Sequence, residues 1–598
     1  MNKNIARLAV TAGLTAALSF GGVMAPVAMA FAEGNTTVTF KGDTYSSTTT
    51  YKGIQIFTAV VDGTTVKNIQ WAGSGEQQTK IRDAVVKAIN DWSQAHHQGT
   101  YDSKNAQEAA EWLNKNPGVT GNNEQVANNN VLSMIAANLN GTGFDWKTTS
   151  AETPSLTGLD AGYWLFLTDT VDNAATDKST DTFSAPVYAV VNGKTNMEVI
   201  PKKDVPTVDK KILDDAAAAT DIKTSDQWND FADSQIGQEV NYKLTGSVAS
   251  NYATYDSYAY KFTDTLSKGL DFVEGSVKVY AFDGTNYAEI NAGQYDAKCV
   301  DNTLTVEFKV GEGKKGLKDV AGVNASTKIV VFYKAKLNGS AVIGNATDGN
   351  KGGNPNTVTL TYSNNPYVGD TGTTIGDTVA DFAFKLNLKK VDQGTEKGLS
   401  GAVFTIQSDD ANTLDQYVAS KAGTVGSVSF VAGQLVTVPS DTELPDYVKF
   451  ASGNDGKIAV SGLDAGTYKV HEVSAPKGGY NTTIADFTFT ITPTYTTDGT
   501  LKLATLDATL NSSARSDVVM GELDNTAGDN VLNAKPGTAT KPADGVINIT
   551  VGNTKSVGLP LTGLNGVTFT WIAGGAVLCI GVAHLIRSRK QAEESEQE

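Results

Sequence analysis

The chain of 598 residues is poor in cysteine, in histidine and in positive charge. It has two cysteines, Cys299 and Cys579. Cys579 falls inside a C-terminal apolar run, so the body of the protein has a single thiol and no means of closing an intramolecular disulfide. Exported proteins often use disulfides as cross-links, so here another bond, or the cores alone, must serve. Histidine is as scarce. His96 and His97 sit in a polar stretch after a helical pattern with no cysteine or acid at metal-ligand spacing, and His471 precedes Glu472 on a strand, so the two face opposite ways. No phosphate loop, EF-hand loop or metal cluster can be assembled, and no nucleophile–base pair. Asp and Glu outnumber Lys and Arg 65 to 48, for a net charge of −17, which argues against a nucleic-acid partner. At 40% hydrophobic and 19% charged residues the composition is that of folded domains, and the length predicts several.

The two ends carry addresses. "MNKNIARLAVTAGLTAALSFGGVMAPVAMAFAEG" has Lys3 and Arg7, then an apolar stretch, then small-residue cleavage patterns at Ala28-Met29-Ala30 and Ala30-Phe31-Ala32; residues 1–32 read as a secretory signal peptide. At the other end "VTFTWIAGGAVLCIGVAHLI", 567–586, has the length of a membrane span, followed by Arg587, Arg589 and Lys590 as a basic cytoplasmic flank. Just before it stands "LPLTG", Leu559, Pro560, Leu561, Thr562 and Gly563.

Between the ends, strand and turn patterns dominate. Gly/Thr/Asp-rich joins divide the chain into blocks at 33–203, 204–378 and 379–556, with the C-terminal segment at 557–598. The expected fold is mainly β, tandem Ig-like β-sandwich domains, the first with a helical insert. That insert shows in Ile81, Val85, Ala88 and Trp92, and again in Val131, Ile135 and Leu139, both at helical spacing. "GLDAGYWLFL" from Gly158 and "GLDAGTYKVHE" from Gly462 form a faint internal repeat of a Gly/Asp turn leading into a strand.

"LPLTG", apolar span and basic tail together resemble the cell-wall sorting signal of Gram-positive surface proteins handled by sortases. The resemblance implies cleavage between Thr562 and Gly563, with Thr562 passing to the enzyme's cysteine as a thioester. Pro560 favours an extended or turned backbone, and Gly563 leaves the bond approachable. "NMEVIPKKDVPTVDKKI" resembles the pilin motif, often a valine-tyrosine-proline-lysine stretch. Val199-Ile200-Pro201-Lys202 matches it except at Ile200. A lysine there would attack the thioester of the next subunit; Lys202 fits the motif, and Lys203 competes. From signal peptide to sorting signal the chain resembles the backbone subunit of sortase-assembled pili.

In that family, Ig-like domains of the CnaB type often carry a self-formed amide between lysine and asparagine, assisted by a buried acid. Burial favours the neutral amine and the protonated acid. In "FKLNLKKVD" the residues Phe384, Leu386, Leu388 and Lys390 share one face; Ile547, Ile549, Val551 and Asn553 share another, and Tyr468, Val470 and Glu472 a third. The expected set in the third block is Lys390, Asn553 and Glu472. In the second block the same parity gives Lys210 and Asn356, with Asn354 as the other acceptor, and the resemblance points to Asp264 as the acid. Aligning the repeat at its tyrosines puts Leu167 where Glu472 stands, so the first block should lack an assisting acid.

The resemblance implies a structural, non-enzymatic subunit of a surface pilus anchored to the cell wall. It implies no cofactor and no metal. Its partners would be a class C sortase, other pilin subunits, and the housekeeping sortase with peptidoglycan, leaving a host surface open as a further one. The alternative is a wall-anchored monomeric adhesin that binds a host ligand.

Overall fold

The computed structural model describes residues 34–555, apart from 42–47, 63–64, 117–118, 121–124, 172–177, 202, 215–220, 346–351, 410–414, 440–441, 481–483, 497–499, 513–518, 522–529 and 532–544. The expected signal peptide, Lys202, the LPLTG motif and the apolar run 567–586 therefore lie outside the described residues. Among the described residues no helix is long and apolar enough to cross a membrane.

The fold is mainly β, as the alternation predicts. In the first block, Met197–Val199, Thr36–Phe40 and Ser155–Leu159 form one sheet, while Thr65–Trp71, Thr50–Asp62, Gly162–Thr170 and Val187–Val191 form the spine of the other. A small core of Val38, Phe40, Trp164, Phe166 and Val191 lies between them. The outer face of the second sheet is covered by three helices, α1 (Gly75–Ala95), α2 (Ala106–Lys115) and α3 (Val131–Leu139). Ile81, Val85 and Ala88 of α1 and Val131, Ile135 and Leu139 of α3 are buried there, with Trp92 packed at the margin. The side chains of Asn105 and Asn130 cap α2 and α3 by accepting from backbone N–H groups in the first turn. Because both faces of Gly162–Thr170 are covered, its apolar run is nearly continuous.

Several strands of the second and third sandwiches keep one polar and one apolar face. In Tyr260–Leu266, Tyr260, Phe262, Asp264 and Leu266 are buried, and in Phe384–Asp392, Phe384, Leu386, Leu388 and Lys390 are buried while Lys389 is exposed. In the second sandwich Val208–Leu213 pairs with Glu239–Ser247, which pairs with Lys328–Leu337; the facing sheet places Asn354–Ser363 between Tyr260–Leu266 and Asp377–Phe382. Asp377–Phe382 thus belongs to the second sandwich, and the third begins at Phe384, later than the 378/379 division read from the sequence. In the third, the first strand Phe384–Asp392 and the last, Val546–Asn553, run parallel as neighbours, with Lys390 level with Val551 and Asp392 with Asn553.

Sandwiches two and three meet over a polar seam. Ile236 N–H donates to the Gly462 carbonyl at 3.0 Å, Ala465 N–H to Asp233 Oδ1 at 3.0 Å, the Tyr468 hydroxyl to Gln235 Oε1 at 2.9 Å and Leu503 N–H to Asn345 Oδ1 at 2.8 Å. Gly462, at φ +86°, is needed for this contact: a Cβ there would stand 2.1 Å from Ile236 Cδ1.

Candidate functional site

Two groups of polar side chains lie in the cores of the second and third sandwiches. In the third, Lys390, Glu472 and Asn553 are 0%, 1% and 3% exposed. Lys390 comes from the first strand, Asn553 from the end of the parallel last strand, and Glu472 from Gly466–Ser474 in the opposite sheet. Strand parity sends all three inward among Leu388, Phe404, Val470 and Val551. Lys390 Nζ donates to Asn553 Oδ1 at 2.6 Å and lies 2.9 Å from Glu472 Oε1. Ile484 N–H donates to Glu472 Oε2 at 2.9 Å, which fixes the carboxyl. The Phe404 ring centroid is 5.4 Å from Nζ. Burial pushes the Lys390 ammonium down from its ordinary range, with Glu472 opposing.

In the second sandwich Lys210, Asp264 and Asn356 are each 0% exposed. Lys210 is on Val208–Leu213; Asp264 and Asn356 are on adjacent antiparallel strands of the facing sheet, where Asp264 is level with Val358 and Leu266 with Asn356. Lys210 Nζ is 2.7 Å from both oxygens of Asp264. Burial depresses this lysine too, against the pull of Asp264. Asn356 reaches the pair through a residue the sequence reading missed. Its Nδ2 donates to the Tyr333 hydroxyl at 2.6 Å, and the same hydroxyl receives Lys210 Nζ at 2.9 Å and donates to Asp264 Oδ2 at 2.5 Å. Tyr333 sits in "KIVVFYKAKL", where both faces are buried over Ile329–Tyr333, so alternation does not single it out. Only the register of Lys328–Leu337 against its neighbours brings its hydroxyl to the lysine.

Asn354, the other acceptor considered, is committed elsewhere. Its Oδ1 accepts from Val342 N–H at 2.8 Å, and its Nδ2 donates to the carbonyls of Val342 and Asp381 at 3.1 and 3.0 Å. It pins a loop to the sheet.

The first block has no lysine–acid–asparagine set in the corresponding place among its described residues. The turns at Asp160 and Asp464 carry the same bond, since Trp164 Nε1 donates to the Asp160 carbonyl and the Tyr468 hydroxyl to the Asp464 carbonyl. Trp164 therefore corresponds to Tyr468, and the residue in the place of Glu472 is Thr168 rather than Leu167. Leu167 faces the helices; Thr168 is buried and donates to Ser184 Oγ. Alignment at the tyrosines was off by one because Tyr163 is buried on the helix side. No carboxyl stands there in either register. The strand Thr36–Phe40 offers Thr36, Val38 and Phe40 inward, not a lysine.

Of the two lysines in the expected acceptor motif, Lys203 is described. Its side chain is 5% exposed and its Nζ is ion-paired to Asp181, itself 1% exposed. Thr49 Oγ1 donates to the same carboxyl oxygen at 2.7 Å and Thr182 N–H to the other at 2.8 Å. Cys299 is half-buried on the edge strand Asp296–Val300, and burial pushes its thiol up, away from the thiolate form. His471 is exposed and paired with Asp486, pointing away from buried Glu472.

Comparison with known proteins places names on these blocks. Residues 236–366 match the model of the Gram-positive pilin backbone subunit 2 Cna-B-like domain, and residues 384–505 match the SpaA prealbumin-like fold domain. The trypsin-resistant surface T6 protein of Streptococcus pyogenes serotype M6 is 24% identical over 423 residues, covering 65% of this chain and 70% of that protein. Among solved structures, the T6 backbone pilin of S. pyogenes aligns at 15% identity over 88% of this chain and 98% of its own, with a TM-score of 0.43. The full-length RrgB pilus protein of Streptococcus pneumoniae aligns at 16% identity over 89% and 100%, with a TM-score of 0.38. The two blocks that hold the lysine clusters are thus the two that the domain models match, a Gram-positive pilin backbone subunit 2 Cna-B-like domain followed by a SpaA prealbumin-like fold domain.

Proposed function

We propose that this chain is the structural subunit of a covalently joined surface pilus whose second and third domains each close an internal lysine–asparagine amide. The observation that carries the reading is the pair of buried clusters, Lys210–Asp264–Asn356 and Lys390–Glu472–Asn553, in a protein with one body cysteine. A lysine buried beside a carboxyl group can pass its proton across, which leaves a neutral amine and a neutral acid in an apolar core and removes two buried charges. The amine then attacks the asparagine carbonyl, the protonated acid polarises that carbonyl, and ammonia leaves. The product is a cross-link between the first strand of the domain and a late one, where an exported protein would elsewhere use a disulfide.

Polymerisation would use a different lysine. In this reading sortase cleaves at Thr562 and the acyl group passes to Lys202 of the next subunit; wall attachment follows through the housekeeping sortase. Lys203 is the poorer nucleophile on geometric grounds, because its ammonium is held by Asp181 and stripping one partner from a buried ion pair costs about 3–5 kcal/mol. A monomeric adhesin would have no use for such an acceptor. The test is an immunoblot of boiled cell-wall extracts. Wild type and Lys203→Ala should give a ladder of SDS-resistant bands, and Lys202→Ala a single band still attached to the wall. A ladder that survives Lys202→Ala and disappears in Lys203→Ala would move the acceptor by one residue, and a single band in wild type would favour the adhesin.

A further inference from the structure

The second cluster includes a hydroxyl, that of Tyr333. Tyr333 is 1% exposed, stacks on Tyr242 at 5.1 Å between ring centroids, and its oxygen lies 2.9 Å from Lys210 Nζ and 2.6 Å from Asn356 Nδ2. These are the nitrogen that would enter and the nitrogen that would leave. In the third cluster Lys390 Nζ contacts Asn553 Oδ1 directly, and the Phe404 ring centroid lies 5.4 Å from Nζ.

We propose that Tyr333 is a catalytic residue of the second centre, the group that carries a proton from the attacking nitrogen of Lys210 to the departing nitrogen of Asn356. The inference rests on the reading of this centre as amide-forming. The step balances as follows. The Lys210 ammonium first passes one proton to Asp264, leaving a neutral amine. Nζ attacks Asn356 Cγ, a Cγ–Nζ bond forms, and the carbonyl π pair moves onto Oδ1, which is buried without a hydrogen-bond partner among the described residues and so is left free for the polarising acid. The attacking nitrogen must now lose a proton and Nδ2 must gain one. Tyr333 gives its hydroxyl proton to Nδ2 and takes one from Nζ. Collapse of the intermediate breaks Cγ–Nδ2 and releases ammonia, and the phenol ends as it began. Asp264 Oδ2, accepting from the hydroxyl at 2.5 Å, holds the oxygen between the two nitrogens. Burial pushes the Tyr333 phenol well above its ordinary range, so its proton stays in place until the leaving nitrogen becomes basic.

The test follows both linkages in one molecule, by intact mass and by the linked peptides Lys210–Asn356 and Lys390–Asn553, sampled over time after synthesis. In wild type both should form. In Tyr333→Phe the third-domain linkage should form at the wild-type rate and the second about a hundredfold more slowly, the usual scale of lost general acid–base help. Equal rates for the second linkage in wild type and Tyr333→Phe would overturn the role of Tyr333. Absence of the second linkage from wild type would instead overturn the amide-forming reading beneath it. Global replacement of tyrosine by 3-fluorotyrosine separates chemistry from packing. It keeps the hydroxyl in place and alters its acidity, so it should change the rate of the second linkage and not the third; an unchanged second rate would also overturn the proposal.

Discussion

Lys210 and Lys390 are both fully buried, a place lysine seldom occupies without a partner. Each has a carboxyl group within 3 Å, and each points at an asparagine or at a hydroxyl bonded to one. The neighbouring lysines show how narrow the assignment is: Lys389 is exposed, and Lys211 is paired at the surface with Asp230. The same holds for the two asparagines of the second sandwich. Asn356→Ala should abolish the second linkage. Asn354→Ala should leave it intact but strip partners from three backbone groups around Val342 and Asp381, lowering stability by about 2–4 kcal/mol. Peptide mapping and chemical denaturation of the two variants distinguish the roles. Parity made the inward direction of Lys210, Lys390, Glu472 and Asn553 legible in the sequence, because a polar residue in step with apolar ones has nowhere to point but inward. Parity could not choose between Asn354 and Asn356, which share it; the choice comes from what the loop at Val342 demands. Nor could it reveal Tyr333, whose strand is buried on both faces.

At the scale of strands, each cross-link would shorten the path that tension takes. In the third sandwich the chain enters at Phe384 and leaves after Asn553 on the neighbouring parallel strand. An amide between Lys390 and Asn553 would send the load through a few residues of the first strand and straight out, across a sequence separation of 163. In single-molecule pulling, wild type should show no unfolding event for this domain. Glu472→Ala should show one, with a contour gain of roughly 550 Å at about 3.4 Å per extended residue. A wild-type event of that length would mean the strands are not tied. Much of this element-level order was readable: the helical insert, the alternating strands and the repeated Gly/Asp turn all sit where the pattern puts them. The assignment of Asp377–Phe382 to the second sandwich was not, because its run of buried residues continues into Phe384–Asp392 without a turn signal, and only the pairing with Asn354–Ser363 separates them.

For the whole molecule, the three blocks should differ in stability. The second is hydrogen-bonded to both neighbours, to the first through Thr180 N–H to the Thr373 carbonyl and Phe183 N–H to the Asn364 carbonyl, so what sets the second and third apart is the two clusters. The first has Thr168 and Val38 where a centre would need an acid and a lysine. A cross-link over a loop of a hundred residues or more is worth about 5 kcal/mol if it acts as a disulfide of equal span does, by restricting the unfolded chain. Limited proteolysis should therefore cut within residues 34–200 first and leave a resistant fragment beginning near Val205. Hydrogen exchange as slow in the first block as in the third would reverse that order. The measurement that bears most directly on the account is the intact mass of the purified wild-type chain. Two amides require a mass below that calculated for the processed chain, without its signal peptide and cut after Thr562, by two molecules of ammonia, and in Glu472→Ala a deficit of one against that variant's own calculated mass. A wild-type mass equal to that calculated for the processed chain would leave both clusters as buried ion pairs and contradict the account.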